Sequence, residues 1–291
     1  MRILYLTDGF PYPLTSGYLR HYFLIKELSR HHAITLLSIV GANFRTEHSA
    51  ALAPFTERIL SFTSTNGSRS IQRKAISRLQ SLAGGDQATR QMGVAIRRLT
   101  RDEHFDVVLF SGKRIFPAIA PLESLTANAR RPLPVVADLC DATSMRIRGR
   151  MRYASPLRLP LLLLDYAQVR HVERMLIDNA AHLLFASCRD REALLGPATH
   201  RASVVPNGVD LDFWKRSSRE RGRDTIVFTG AMDYPPNTDA ALYLIEEILP
   251  LVRQSIPGAQ VLIVGRDPSP RLLKAGRQPG VTVTGFVDDI R

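Results

Sequence analysis

Two carboxylates stand close together in Asp138-Leu139-Cys140-Asp141-Ala142-Thr143-Ser144, just after a buried strand pattern. A carboxylate at such a strand end can orient a hydroxyl or stabilise positive charge developing in a transition state. Asp141 is the candidate catalytic group. Capping of the following helix is an equally good account of it. The first strand pattern, residues 3–7, runs into Asp8-Gly9-Phe10-Pro11-Tyr12-Pro13-Leu14-Thr15-Ser16-Gly17-Tyr18. That loop is not G-x-G-x-x-G, so a nicotinamide or flavin fingerprint is absent. It is a long turn, stiffened by two prolines, with Gly17 where a helix begins. A glycine there lets backbone approach a phosphate or a sugar at a helix N-terminus. Pro206-Asn207-Gly208-Val209-Asp210 follows another short strand, and its Asn-Gly pair is a turn former. Gly230 closes a further strand and leads to Asn237 near the next helix start, a second place for an anion. Arg266, in Gly265-Arg266-Asp267, is a phosphate partner of the same kind. Cys140 and Cys188 match no metal spacing and point to a reduced compartment without a disulfide framework.

Positioning these groups requires a particular succession of elements. Apolar, β-branched runs at residues 3–7, 34–39, 58–62, 107–110, 135–139, 183–186 and 203–205 alternate with helix-length stretches such as 18–30 and 115–129. Continuous apolar strands between helices predict a parallel sheet covered on both faces, the doubly wound, Rossmann-like α/β class. Right-handed crossovers then bring Thr7, Phe110, Leu139 and Ala186 to one edge, where such folds bind ligands. A charged break from Lys215 to Asp224 precedes new strands at 225–229, 261–264 and 281–284. The expected organisation is an N-terminal domain over 1–214, a linker over 215–223 and a partial second Rossmann-like domain over 224–291.

The 291 residues carry 39 Lys/Arg and 27 Asp/Glu, a net charge of +12. Residues 221–291 hold eight of each sign, so the whole excess lies in the first 220 residues. That asymmetry points to an anionic partner, with an Arg-rich proteome as the plainer account. The segment 156–166 is very apolar and follows Arg146, Arg148, Arg150 and Arg152. It reads as a surface for an anionic membrane or as an ordinary core helix. No apolar run reaches spanning length and the N-terminus has no signal-peptide pattern. The expected location is cytoplasmic, with peripheral attachment to the inner face of the plasma membrane as the alternative that the segment 156–166 leaves open. Zinc spacings and RNP-like strands are missing, so no nucleic acid is expected as partner.

The series Pro206-Asn207-Gly208-Val209-Asp210, then Phe228-Thr229-Gly230-Ala231-Met232-Asp233-Tyr234-Pro235-Pro236-Asn237-Thr238-Asp239-Ala240, then Ile263-Val264-Gly265, then Val283-Thr284-Gly285-Phe286-Val287-Asp288-Asp289 resembles the group 1, or family 4, glycosyltransferases of the GT-B fold. The form around residues 230–240 is similar to a bacterial subgroup associated with exopolysaccharide and protein-sorting loci. The resemblance implies a retaining transferase. It would move a sugar from a nucleotide-diphosphate donor to a polysaccharide or lipid-linked acceptor, without a cofactor or required metal. It implies that Gly17 lies near the donor phosphates or sugar and that Asn207 lines the cleft. Gly230 and Asn237 would take the diphosphate side, and Gly285, Phe286 and Val287 the nucleobase. The chain departs from the family in three ways. Ala231 and Pro236 stand where many members have Arg and Lys. Ser111-Gly112-Lys113-Arg114 stands where many have a His. The paired-glutamate segment would follow residue 291, so the chain reads as C-terminally truncated and inactive in this length. A non-catalytic relative, binding or assembling in polysaccharide biosynthesis, is the competing expectation.

Overall fold

Five of the six residues of β1 (Arg2–Thr7) are buried. Their side chains divide by parity: Leu4 and Leu6 enter one core, Ile3 and Tyr5 another. A strand apolar on both faces must lie inside a two-sided sheet. The computed structural model describes residues 1–14, 18–41, 44–64, 85–120, 133–152, 154–197, 201–215 and 224–290. These fall into two units, Met1–Gly208 and Val209–Arg291.

In the first unit β1 is followed by α1 (Leu19–Leu28), β2 (Ala33–Val40), the short α2 (Thr46–Ala50), β3 (Arg58–Thr63), α3 (Gln87–Asp102) and β4 (Val107–Ser111). Then come β5 (Val135–Cys140), α4 (Thr143–Met151), α5 (Leu159–Asn179), β6 (His182–Phe185), α6 (Cys188–Leu195) and β7 (Ala202–Val204). The seven strands form one sheet in the order β3-β2-β1-β4-β5-β6-β7. Every neighbouring pair is parallel. All seven strands expected from the sequence are present, and the class is the doubly wound α/β sheet. Met92, Ile96 and Leu99 of α3 and Val172 and Leu176 of α5 pack on one face; Ile25 of α1 packs on the other. Each such side chain, fully buried, contributes about 1.5–3 kcal/mol.

The helix expected over 115–129 takes another form where it is described. Lys113–Ala118 is a 3₁₀ turn containing Pro117, entered from Gly112 at φ 114°. Proline has no N–H to continue an α-helical ladder. Residues 121–132 lie outside the described part.

The second unit runs β8 (Thr225–Thr229), α7 (Pro235–Tyr243), α8 (Leu249–Ser255), β9 (Gln260–Val264), α9 (Pro270–Ala275) and β10 (Val281–Val283). One π turn, Leu244–Ile248, joins α7 to α8. Pro250 follows it and lacks the N–H that would bond back to Glu246, so the helix widens there. The strands are parallel in the order β10-β9-β8. Ile245, Leu249, Val261, Ile263 and Leu272 make a separate core.

Candidate functional site

β1 pairs with β2 on one side and β4 on the other, with Thr7 opposite Ser111. The strand order reverses there, and open α/β sheets bind ligands beyond the strand C-termini at that point. In this chain α1 side chains fill much of the crevice. His21 is buried, with Nδ1 3.0 Å from the Tyr5 hydroxyl and Nε2 3.1 Å from Ser111 Oγ. Burial lowers its pKa to about 4, against the pull of Asp138, so the ring is neutral at pH 7. Asp8 lies against Gly112, where an added Cβ would collide with its carboxyl. Burial raises the Asp8 pKa, opposed by a hydrogen bond from Tyr18 and the charge of Arg114. Arg114 also reaches Asp86, 2.8 Å away. Burial would raise the Asp86 pKa, but donors from Thr89, Arg114 and Ser64 outweigh it and bring the value to about 2.

Next along the edge, Asp138 is completely buried and Arg20 is 9% exposed, with Arg20 Nε 2.9 Å from Asp138 Oδ2. The other carboxylate oxygen accepts from the Cys140 N–H at 3.1 Å. Cys140 has φ 60°, and the β5–β6 register shifts between Asp138 and Cys140, which turns the chain out of the sheet. Arg20 Nη1 donates to the Pro206 carbonyl at 3.3 Å and to Asn207 Oδ1 at 3.1 Å. Asn207 itself is exposed.

Asp141 follows this bend half-exposed. It accepts from the Thr143 hydroxyl, with Arg146 at 3.5 Å and Lys113 at 3.8 Å. It does not cap α4: the cap position is Ala142, without a side-chain bond. Glu173 of α5, completely buried, does that work by accepting from the Ser144 N–H at 3.1 Å. Lys113 spends its three donors on Glu173 Oε1 (2.9 Å), the Asp141 carbonyl (3.0 Å) and Thr143 Oγ1 (2.6 Å). An ammonium has three N–H groups, so Lys113 is a clamp between α4 and α5 and has none left for a ligand. Asp141 keeps a half-exposed carboxylate with two cations beside it.

In the second unit three loops meet at the strand C-termini. Gly230 N–H donates to the Val264 carbonyl at 3.0 Å, Met232 N–H to Arg266 at 2.9 Å, and Gly265 N–H to Gly285 at 3.1 Å. At Gly265 a Cβ would land on the Gly230 carbonyl, so only glycine fits. Asn237 Nδ2 donates to the Ala231 carbonyl at 3.0 Å, shaping the loop from inside. The start of α7 has little to offer an anion. Pro235 and Pro236 carry no N–H, and those of Asn237 and Thr238 both go to the Tyr234 carbonyl, at 2.9 and 3.2 Å. Only the helix dipole remains there. Arg266 is exposed and, among the described residues, forms no ion pair. Gly285 has open space around it at φ 72°, Phe286 is 68% exposed and Val287 half-buried. Gly17 lies outside the described residues.

The structure thus gathers Asp141 and Asn207 at one edge of the first unit, and Gly230, Asn237, Arg266 and Gly285–Val287 at one edge of the second. Reading the sequence missed two connected sets, Arg20 with Asp138 and His21, and Lys113 with Glu173. Glu173 gave the clearest signal, a lone acid on the apolar face of α5. Among the described residues no cluster of three or more His, Cys, Asp or Glu is arranged to hold a metal ion. Both cysteines are free.

A different surface lies on α4 and α5. Residues 142–164 contain Arg146, Arg148, Arg150, Arg152 and Arg158 and no acid. Leu157 is 90% exposed, Leu163 50% and Leu164 57%. No described helix is long and apolar enough to cross a membrane.

Residues 223–291 match the family model of the group 1 glycosyl transferases. A comparison with curated protein sequences finds no match. The fold resembles that of Anabaena Alr3699/HepE, solved in complex with UDP and glucose. The TM-score is 0.57 and the identity 16%, over 99% of this chain and 70% of that one. It also resembles the lipopolysaccharide outer core galactosyltransferase WaaB in its apo form, at TM-score 0.55 and 11% identity, over 99% and 69%. A third likeness is the glycotransferase of kitacinnamycin, at 0.54 and 16%, over 99% and 71%. The fold is that of the GT-B glycosyltransferases. The second unit carries the sequence signature of the group 1 glycosyl transferases over residues 223–291.

Proposed function

We propose that the protein transfers a sugar from a nucleotide-diphosphate donor to a saccharide or lipid-linked acceptor, with retention at the anomeric carbon and no required metal. The observation that carries this is the family match over residues 223–291, which covers all three glycine-bearing loops at the strand ends of the second unit. In this reading the open backbone at Gly285, with exposed Phe286 and half-buried Val287 beside it, takes the nucleobase. Arg266, uncommitted among the described residues, takes the diphosphate. Gly230 and Asn237 act by holding the loop that lets the donor approach, since Asn237 spends its amide on Ala231. Gly17 and Asn207 belong to the donor-binding set in this reading, and the half-exposed Asp141 orients a sugar hydroxyl or steadies the developing positive charge. UDP in the HepE complex favours a uridine donor. The exposed leucines and five arginines of residues 142–164 fit an anionic lipid surface, which suits a lipid-linked acceptor. Titration calorimetry with UDP, GDP and ADP sugars, followed by a donor-hydrolysis assay, tests the donor class. Binding of one nucleotide series is expected, and Arg266→Ala should weaken it about tenfold. Absence of binding to all three would overturn the reading.

A further inference from the structure

Arg20 is the residue on which three segments converge: α1 carries it, Asp138 at the end of β5 pairs with it, and the turn after β7 receives it. Its side chain is nine-tenths buried and Asp138 is completely so. A guanidinium only donates hydrogen bonds. The Asn207 carboxamide therefore has to turn its oxygen toward Arg20 Nη1, 3.1 Å away. Its amide, with two N–H groups, then faces away from the pair, on an exposed residue. Nε is committed to Asp138, and Nη2 has no partner among the described residues. The guanidinium is thus aimed by Asp138 and aims Asn207 in turn.

We propose that Arg20, held by Asp138, is a positioning residue that fixes Asn207 as a one-way hydrogen-bond donor to an acceptor oxygen of the nucleotide sugar. The proposal rests on the function given above. Without the pair, a surface Asn on an Asn-Gly turn would present either end of its amide and lose orientational freedom on binding. With it, the site selects oxygens that accept, a phosphate oxygen or a sugar hydroxyl, and rejects a group that only donates.

The test uses Asn207→Asp and Arg20→Lys in the full chain, with UDP and UDP-glucose as probes in titration calorimetry. Asn207→Asp places a carboxylate against Arg20, so the melting temperature should hold or rise while affinity falls at least tenfold. A merely structural role predicts that the two move together. Arg20→Lys retains a cation for Asp138 but lacks the fork that reaches both partners. It should lower affinity similarly and shift the Asn207 Nδ2 resonance in a spectrum of ¹⁵N-asparagine-labelled protein. Equal losses for UDP and UDP-glucose assign the oxygen to the phosphate; a loss confined to UDP-glucose assigns it to the sugar. Asn207→Asp binding both probes within twofold of wild type overturns the proposal alone. So does an unshifted Nδ2 resonance in Arg20→Lys. A wild-type protein that binds no UDP, GDP or ADP sugar overturns the proposal together with the function on which it rests.

Discussion

His21 ties stability to pH through one buried ring. Its folded pKa, about 4, lies below the usual 6.5, so the unfolded chain binds a proton more readily. Stability is therefore complete above pH 6.5 and declines as pH falls from 6.5 toward 4. The shift corresponds to about 3 kcal/mol. Urea unfolding at pH 7.5 and pH 5 should show the decline, and His21→Gln should remove most of it. A decline of the same size in His21→Gln would assign the effect to another group. Gly265 makes a second residue-scale prediction. Gly265→Ala places a methyl group on the Gly230 carbonyl, so the loops must separate. About 2–3 kcal/mol of stability should be lost in the second unit, with donor affinity lost alongside. Amide exchange faster across β8–β10 than across β1–β7 would be the signature.

At the scale of elements, α3 and the α4–α5 pair carry different duties. Asp86 caps α3 through Thr89 N–H at 2.9 Å and also receives Ser64 and Arg114. Asp86→Ala should cost about 2 kcal/mol, read as a lowered urea midpoint. α4 and the exposed start of α5 carry charge and apolar surface on the outside. Each arginine near an anionic membrane is worth about 1 kcal/mol, screened by salt. Sedimentation with vesicles rich in phosphatidylserine should show binding at low salt that weakens as salt rises. The double variant Arg148→Glu, Arg150→Glu should bind at least tenfold less. Equal binding to neutral vesicles would rule the surface out. The clamp of Lys113 and Glu173 explains how α5 serves both ends: its buried half is tied to α4 while its first turns stay exposed.

Among the described residues of the whole molecule, the first unit holds seven strands and two cores, and the second three strands and one. Buried fraction rises with size, so the larger unit carries more stability of its own. Residues 1–208 expressed alone should unfold in one cooperative transition that keeps the pH dependence set by His21. Far-UV circular dichroism with urea checks this, and a gradual transition would count against it. The order of strands was legible in the sequence because apolar runs such as 3–7 and 34–39 announce buried parallel strands wherever they occur. The glycine turns were legible too, and at Gly265 only glycine fits. The fold class followed from those features alone, whereas the family rested on the resemblance of longer motifs. What tertiary structure decided is which polar groups are spent and which are free. Lys113 donates its three N–H groups to Glu173, sixty positions away, to the Asp141 carbonyl and to Thr143. The start of α7 looked like an anion site until the Tyr234 carbonyl took its two N–H groups. Arg20, Asp138 and Asn207 are far apart in the chain, and only the folded sheet edge brings a donor-only guanidinium against an amide and so fixes which end of it faces out. Local pattern encodes burial and backbone geometry, because both depend on neighbouring residues. Hydrogen-bond commitment depends on partners brought together by the fold, so it was not there to be read.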